Sequence, residues 1–286
     1  MPKMIESAIE RIADADALDR LCHLAAGRVH KVTARTAVKN ALSGTWLGHP
    51  VHPIATTLPI GAWAMACALD ATAGRSGAPA ARRLVGLGVL AALPAAATGA
   101  SDWSDTIGAT QRVGLVHAWG NLTATALQAA SWLVRRRGCR RSGIALSAAA
   151  LGSAACAAYL GGHLSLVRGI GVNHTAFQEP VTDWTDVAAL SDLTEGKPTR
   201  VTPGGVPVVL VRYQGTVYAL SATCTHEGGP LDKGEIVGDG CIKCPWHGSE
   251  FRLTDGQPVR GPASVTEPSW EVKLTDDRVA VRSTPS

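Results

Sequence analysis

The sequence predicts a multi-domain chain: an α-helical four-helix transmembrane bundle followed by an all-β domain. Three observations carry this reading. Four apolar windows, at about 54–73, 84–100, 113–134 and 143–162, lie in series between polar turns. Each is near the roughly 20 residues that a helix needs to cross a bilayer. Beyond them the composition becomes that of an ordinary soluble domain, with β-branched runs broken by glycine turns. The mean hydropathy is positive, +0.11, although 17% of the 286 residues are charged. The apolar residues are therefore concentrated, not spread.

The elements follow in order. Residues 1–45 read as an amphipathic helical segment, with Ile5, Ile9 and Ile12 on one face and Glu6, Glu10 and Asp14 elsewhere. Leu18, Leu21 and Leu24 continue the pattern, and Arg28, Lys31, Arg35 and Lys39 suit lipid headgroups. No charged start precedes an apolar core and a cleavage site, so no signal peptide is expected. Residues 46–174 form the membrane domain. Its second window is short and holds Pro94, and small residues are dense at Ala95–Gly99 and Ala148–Ala154. Small residues let helices approach closely where lipid offers no hydrophobic drive. Residues 175–186 read as a linker and 187–286 as the β domain. There, 207–212 and 217–220 form strands about a Gln214-Gly215 turn, and Leu274, Val279 and Val281 form a closing hairpin across Asp276-Asp277.

The chemistry concentrates in two short loops. One reads Cys224-Thr225-His226; seventeen residues later comes Cys244-Pro245-Trp246-His247. Two thiolates and two imidazoles are the ligand set of a Rieske [2Fe–2S] cluster, one iron taking both sulfurs and the other both nitrogens. The same four groups also suit structural zinc. The residues after the second pair favour the cluster: Gly248 lets the backbone pass close, and Ser249 has a hydroxyl to donate to sulfur. Cys241 makes a C-x2-C with Cys244 but reads as a strand residue leading into the loop. Nothing among the seven cysteines suggests a disulfide framework.

From about 184 to 282 the chain resembles the small Rieske ferredoxin domain, an iron–sulfur-binding β-sandwich. The matching pieces are Cys-Thr-His, Gly228-Gly229-Pro230-Leu231, the run from Cys244 to Phe251, the Asp255-Gly256 turn and Gly261-Pro262-Ala263. The resemblance implies that Cys224, His226, Cys244 and His247 are the cluster ligands, with Trp246, Gly248, Ser249 and Phe251 around them. Two departures from the Rieske proteins of respiratory complexes are visible. Gly229 and Trp246 stand where those proteins carry a disulfide, and Phe251 replaces a tyrosine that bonds a ligand sulfur. Fewer hydrogen bonds to sulfur imply a potential toward the low end of the Rieske range.

Residues 46–174 resemble the bacterial four-helix membrane domain of the DUF2231 type. The resemblance is carried by Gly48-His49-Pro50-Val51-His52-Pro53, Asp70, Gly99-Ala100-Ser101-Asp102-Trp103, His117 with Asn121, and Gly161-Gly162-His163-Leu164. It implies topology and no established activity. Antiparallel order then puts His49, His52, Asp102, His117 and His163 toward one leaflet, with Asp70 alone toward the other. Those histidines read either as helix-bridging hydrogen bonders or as a site for haem or quinone. Arginines in the first and third connections favour those turns on the cytoplasmic side and the β domain outside a bacterial cytoplasmic membrane, while the four bases before the first helix argue for the opposite orientation.

The function expected is a membrane-anchored iron–sulfur protein that carries single electrons between a donor and an acceptor protein. Its partners would be redox proteins, the lipid bilayer and a quinone, and no nucleic acid. A redox sensor and an electron-supplying component of a multi-subunit oxygenase are the competing readings. A stand-alone oxygenase would need a second iron held by two His and a carboxylate. Only 39 residues follow His247, and none is His.

Overall fold

A computed structural model describes residues 2–284. The chain folds into two compact units. One joins the residues up to Ala34 with Val51–Ile170; the other joins Arg35–Pro50 with the chain from Gly171 onward.

The first unit is helical. Short helices α1 (Pro2–Ala13) and α2 (Asp19–Thr33) precede four long ones: α4 (Val51–Thr72), α5 (Ala78–Ser104), α6 (Gly108–Arg136) and α7 (Arg140–Leu166). Helix α4 packs on α5 and α7, and α6 packs on the same two, which closes a four-helix ring. The apolar face of α1, through Ile9 and Ala13, docks on Val113 of α6. Leucines 58, 87, 90, 93 and 122 are exposed, whereas Gln111 and Gln128 are buried. This outward-apolar pattern suits a lipid solvent.

Three of the four long helices, α4, α5 and α7, are long and apolar enough to cross a membrane. The expected count of four spans is therefore not met by that measure. Helix α6 has the length but carries Gln111, His117, Asn121 and Gln128, whose polarity lowers its mean. Asp70 is not alone either. Its carboxylate takes both Nη atoms of Arg135, at 2.5 and 3.1 Å, and Arg140 Nη2 at 3.2 Å. Arg135 Nε donates to Ser131 Oγ at 3.0 Å, and Gly143 leaves the space its side chain fills.

The second unit is built on β strands. A six-stranded antiparallel sheet runs β1-β10-β9-β4-β3-β2 and a four-stranded one β5-β6-β7-β8. The first contains β1 (Thr185–Ala189), β2 (Thr199–Val201), β3 (Val208–Tyr213), β4 (Thr216–Ser221), β9 (Ser269–Thr275) and β10 (Arg278–Ser283). The second contains β5 (Glu235–Val237), β6 (Cys241–Lys243), β7 (Glu250–Arg252) and β8 (Pro258–Arg260). Side chains alternate along β3. Val208 and Leu210 join Trp270, Val279 and Val281 in one core, while Val209 and Val211 join Ile242, Phe251, Cys224 and Cys244 in the other. The cluster loops thus rise from the second core.

Two segments outside the strands belong to this unit. Helix α3 (Thr36–Ser43) lies beside β8. Asn40 Nδ2 donates to Val259 O, its Oδ1 accepts from Gly261 N, both at 2.9 Å, and Thr45 Oγ1 donates to Ala263 O. Within the stretch read as a linker, Val181 pairs with Ser283 of β10, and just before it His174 N donates to Thr225 O.

Candidate metal centre

The two loops are the same device built twice. Each cysteine N–H donates to the carbonyl five residues on: Cys224 to Gly229 at 2.8 Å and Cys244 to Ser249 at 2.8 Å. Each cysteine carbonyl accepts from the glycine four residues on, Gly228 at 2.9 Å and Gly248 at 3.1 Å. Both glycines have positive φ, 74° and 71°, the left-handed region that side chains disfavour. Each loop therefore curls back on itself between cysteine and glycine, with His226 or His247 carried within the turn. The shared Cys-x3-Gly spacing was visible in the sequence, but only the hydrogen bonds reveal its role.

The four expected ligands come together. The Cys224 and Cys244 side chains are buried and hydrogen-bonded to each other. That bond, then burial, pushes the Cys224 thiol up, while the same bond holds Cys244 down to about 7. The Trp246 and His247 main-chain N–H groups support the Cys244 thiolate. The His226 and His247 rings meet edge to face with centroids 5.1 Å apart. Burial, followed by His247, lowers the His226 imidazole to about 3, so it is neutral at physiological pH. His226 Nδ1 is buried and has no hydrogen-bond partner among the described residues. A buried ring nitrogen without a partner and an adjoining pair of thiols fit an iron–sulfur group that takes two sulfurs and two nitrogens. Gly229 completes the cradle: a Cβ there would lie 2.7 Å from Cys244 Sγ.

The surrounding residues fall as follows. Ser249 is buried and its Oγ accepts from Ala263 N at 2.9 Å, leaving the hydroxyl proton for another acceptor. Phe251 is fully buried in the core that holds both cysteines. Trp246 is 57% exposed beside His247. Glu227 Oε2 lies 3.7 Å from His247 Nε2, and the sequence reading did not single this carboxylate out. Nor did it single out Glu267, which is fully buried and accepts from Thr225 N at 2.9 Å. Cys241 opens β6, as the strand reading required.

The helical unit treats its polar residues differently. His52 Nδ1 donates to Ala95 O of α5 at 2.9 Å, and Gly99 makes room, since a Cβ would lie 2.5 Å from the ring. His117 Nδ1 donates to Ala157 O of α7 at 2.7 Å opposite Gly161, and its Nε2 accepts from Asn121 at 3.1 Å. His163 Nε2 accepts from Arg168 Nε at 3.3 Å, and Asp102 lies in the last turn of α5. His49 belongs to the other unit, with its Nδ1 3.1 Å from Pro50 O. His52 and His117 thus each dock on a neighbouring helix.

Comparison with known proteins agrees with this division. Residues 183–275 match the Rieske [2Fe-2S] domain, and residues 48–174 match a predicted membrane protein domain, DUF2231. The chain is 35% identical to the ferredoxin CarAc of Metapseudomonas resinovorans over 34% of its own length and 92% of that protein. It is 31% identical to the ferredoxin component of the naphthalene 1,2-dioxygenase system of Pseudomonas putida, over 34% of the chain and 93% of that component. Among solved structures, the ferredoxin of carbazole 1,9a-dioxygenase from Nocardioides aromaticivorans IC177 aligns at 29% identity with a TM-score of 0.35, over 36% of this chain and all of that one. The chain belongs to the Rieske [2Fe-2S] family, as an electron-carrying iron–sulfur protein joined to a membrane domain. Its cofactor is a Rieske [2Fe–2S] cluster and its partners are redox proteins.

Proposed function

We propose that Cys224 and Cys244 hold one iron and His226 and His247 the other. The bound group supplies a one-electron reservoir. The chain's own residues supply the rest. Main-chain N–H groups stabilise thiolate charge, the buried histidine stays neutral, and the core around Phe251 keeps water from the sulfurs. The observation that carries this reading is the paired loop, with its buried thiols and the unpartnered His226 Nδ1. We further propose a multi-pass anchor and an acceptor of the terminal-oxygenase type, fed by a reductase-type donor; the dioxygenase ferredoxins among its relatives support this. The arginines of the first and third helix connections favour a β domain outside the cytoplasm.

The test is electron paramagnetic resonance of the reduced full-length protein, with iron counted. Wild type should show a mixed His/Cys [2Fe–2S] signal, and His226→Cys or His247→Cys should change it. Stoichiometric zinc without iron would sink the assignment. For the membrane unit, the bonds of His52 and His117 to neighbouring carbonyls support helix packing over haem or quinone binding. His52→Gln and His117→Gln should lower the amount of folded protein and leave cluster reduction by a quinol unchanged. Slowed reduction at normal protein level would restore the quinone reading.

A further inference from the structure

Helix α1 covers the bundle unevenly. Ile9 and Ala13 are buried against Val113 of α6, with Ile12, Leu160 and Leu164 packed beside them. Between α1 and α7, in contrast, runs a groove of about 910 Å³. That size falls within the range of ligand pockets, about 300–1,000 Å³. The sequence explains the gap. Ala8 lines the α1 wall between Met4 and Ile12, and Ala155 and Cys156 line the α7 wall beside Tyr159. Side chains this small cannot close the space between two helices. The groove opens outward: Met4 is 73% exposed and Tyr159 56%, and Cys156 is exposed.

One rim of this apolar groove is basic. Lys3, Ser7 and Arg11 recur every four residues, so they share one edge of α1, and all three are exposed. Arg11 Nε donates to Ser7 O at 3.2 Å, which lays its side chain back along that edge. Among the described residues no acid lines the groove. Glu10 of the same helix turns elsewhere, to Arg168 at 3.4 Å. The α7 wall runs from Leu160 to Ala155, about 9 to about 16 Å from the helix end at Leu166. One leaflet is about 15 Å of a hydrocarbon core about 30 Å thick. The groove therefore sits at acyl-chain depth, and its rim carries long basic side chains able to reach the headgroups.

We propose that the α1–α7 groove binds one anionic phospholipid: an acyl chain fills the space over Ala8, Ala155 and Cys156, and the phosphate meets Arg11 and Lys3. This rests on the reading of the helical unit as a membrane anchor. Charge selects the occupant. A zwitterionic lipid fills the same space, but its own cation opposes the two bases. A second copy meeting this groove with its own would set Lys3 and Arg11 against like charges. An anionic lipid supplies both the apolar filling and the missing counter-charge. It completes the contact that Ile9 and Ala13 begin, and so holds α1 on the bundle.

The experiment uses the full-length chain, and membrane fractionation comes first. A chain recovered in the soluble fraction without detergent sinks the anchor reading and the proposal with it. Detergent-solubilised protein is then titrated with phosphatidylglycerol, or with phosphatidylcholine of the same acyl chains, and bound lipid is counted by native mass spectrometry. Wild type should retain one phosphatidylglycerol per chain, about tenfold tighter than phosphatidylcholine. Lys3→Gln with Arg11→Gln should erase that preference. Arg28→Gln with Lys31→Gln, exposed bases of α2 outside the groove, should keep it. Ala8→Trp should fill the groove and displace lipid of either headgroup. Circular dichroism checks the fold of each variant; where one misfolds, the comparison of the two lipids on wild type decides. Equal retention of both lipids by wild type, or equal loss of preference in both double variants, overturns the proposal. So does a dimer that Ala8→Trp splits, which would give the groove to a second copy.

Discussion

Replacing Gly229 with alanine should empty the metal centre. A Cβ built there lies 2.7 Å from Cys244 Sγ and 3.2 Å from the Trp246 ring. Ordinary contacts between heavy atoms begin near 3.5 Å, so the overlap with sulfur is about 0.8 Å. The two neighbours differ in their freedom to yield. Trp246 is largely exposed and can swing away. Cys244 Sγ is buried against Cys224, and moving it moves a ligand. Overpacking of a tight site costs about 1–3 kcal/mol when the surroundings absorb it. Here the cost falls on the geometry of iron binding, because the loop is closed on both sides by Cys224 N to Gly229 O and Gly228 N to Cys224 O. The expected result is a folded β domain with well under half the wild-type iron, or an altered paramagnetic signal in the loaded fraction. Iron and sulfide analysis with circular dichroism reads both. Full iron, an unchanged signal and an unchanged potential would refute the cradle argument.

Other outcomes follow from single contacts. Ser249→Ala removes the hydroxyl whose oxygen already accepts from Ala263 N; if its proton serves a cluster sulfur, a loss of about 1 kcal/mol lowers the midpoint by about 40 mV in a dye-coupled titration. Asp70→Asn leaves Arg135, 3% exposed, without its counter-charge. That should cost about 3–5 kcal/mol, read as an early unfolding transition in detergent, and Asp70→Leu with Arg135→Leu should recover much of it. Glu267 has its folded proton affinity raised, so the stability it contributes is full below the ordinary carboxylate range and is lost as pH rises toward the folded value. Glu267→Gln should flatten that loss in denaturant titrations carried upward in pH from the ordinary carboxylate range.

What the sequence made legible was local. The ligand loops announce themselves because each closes within six residues, and the β3–β4 hairpin because its turn and alternation are written in adjacent positions. Long-range placement was silent. Asn40 meets Val259 and Gly261 across about 220 positions, so nothing in residues 35–50 distinguishes a partner of the β unit from a basic membrane-surface helix. Glu267 reads as a loop acid, and only closure of the chain over Gly256 buries it. Asp70 looked solitary because Arg135 stands among five arginines that read as solvent-facing charge, yet Gly143 opens the space that lets it turn inward. Residues 113–134 were legible as an apolar window, but which polar residues of α6 turn inward was not, since their burial is decided by α5 and α7.

The duplicated loop also limits how far side-chain changes can move the centre. The cysteine sulfurs are supported by main-chain N–H groups: His226 for Cys224, and Trp246 and His247 for Cys244. The second loop spaces its histidine one residue further from its cysteine than the first, three positions against two, and Pro245, with no N–H, fills the step. That leaves two donors converging on Cys244 and one on Cys224, an asymmetry fixed by backbone spacing. Substituting Trp246 or Phe251 alters what surrounds these bonds but removes none of them. The backbone therefore sets the floor of thiolate stabilisation. Deleting one residue between Cys244 and His247 should then disturb the centre more than replacing Trp246 or Phe251, because only the deletion changes how many amides face the sulfur.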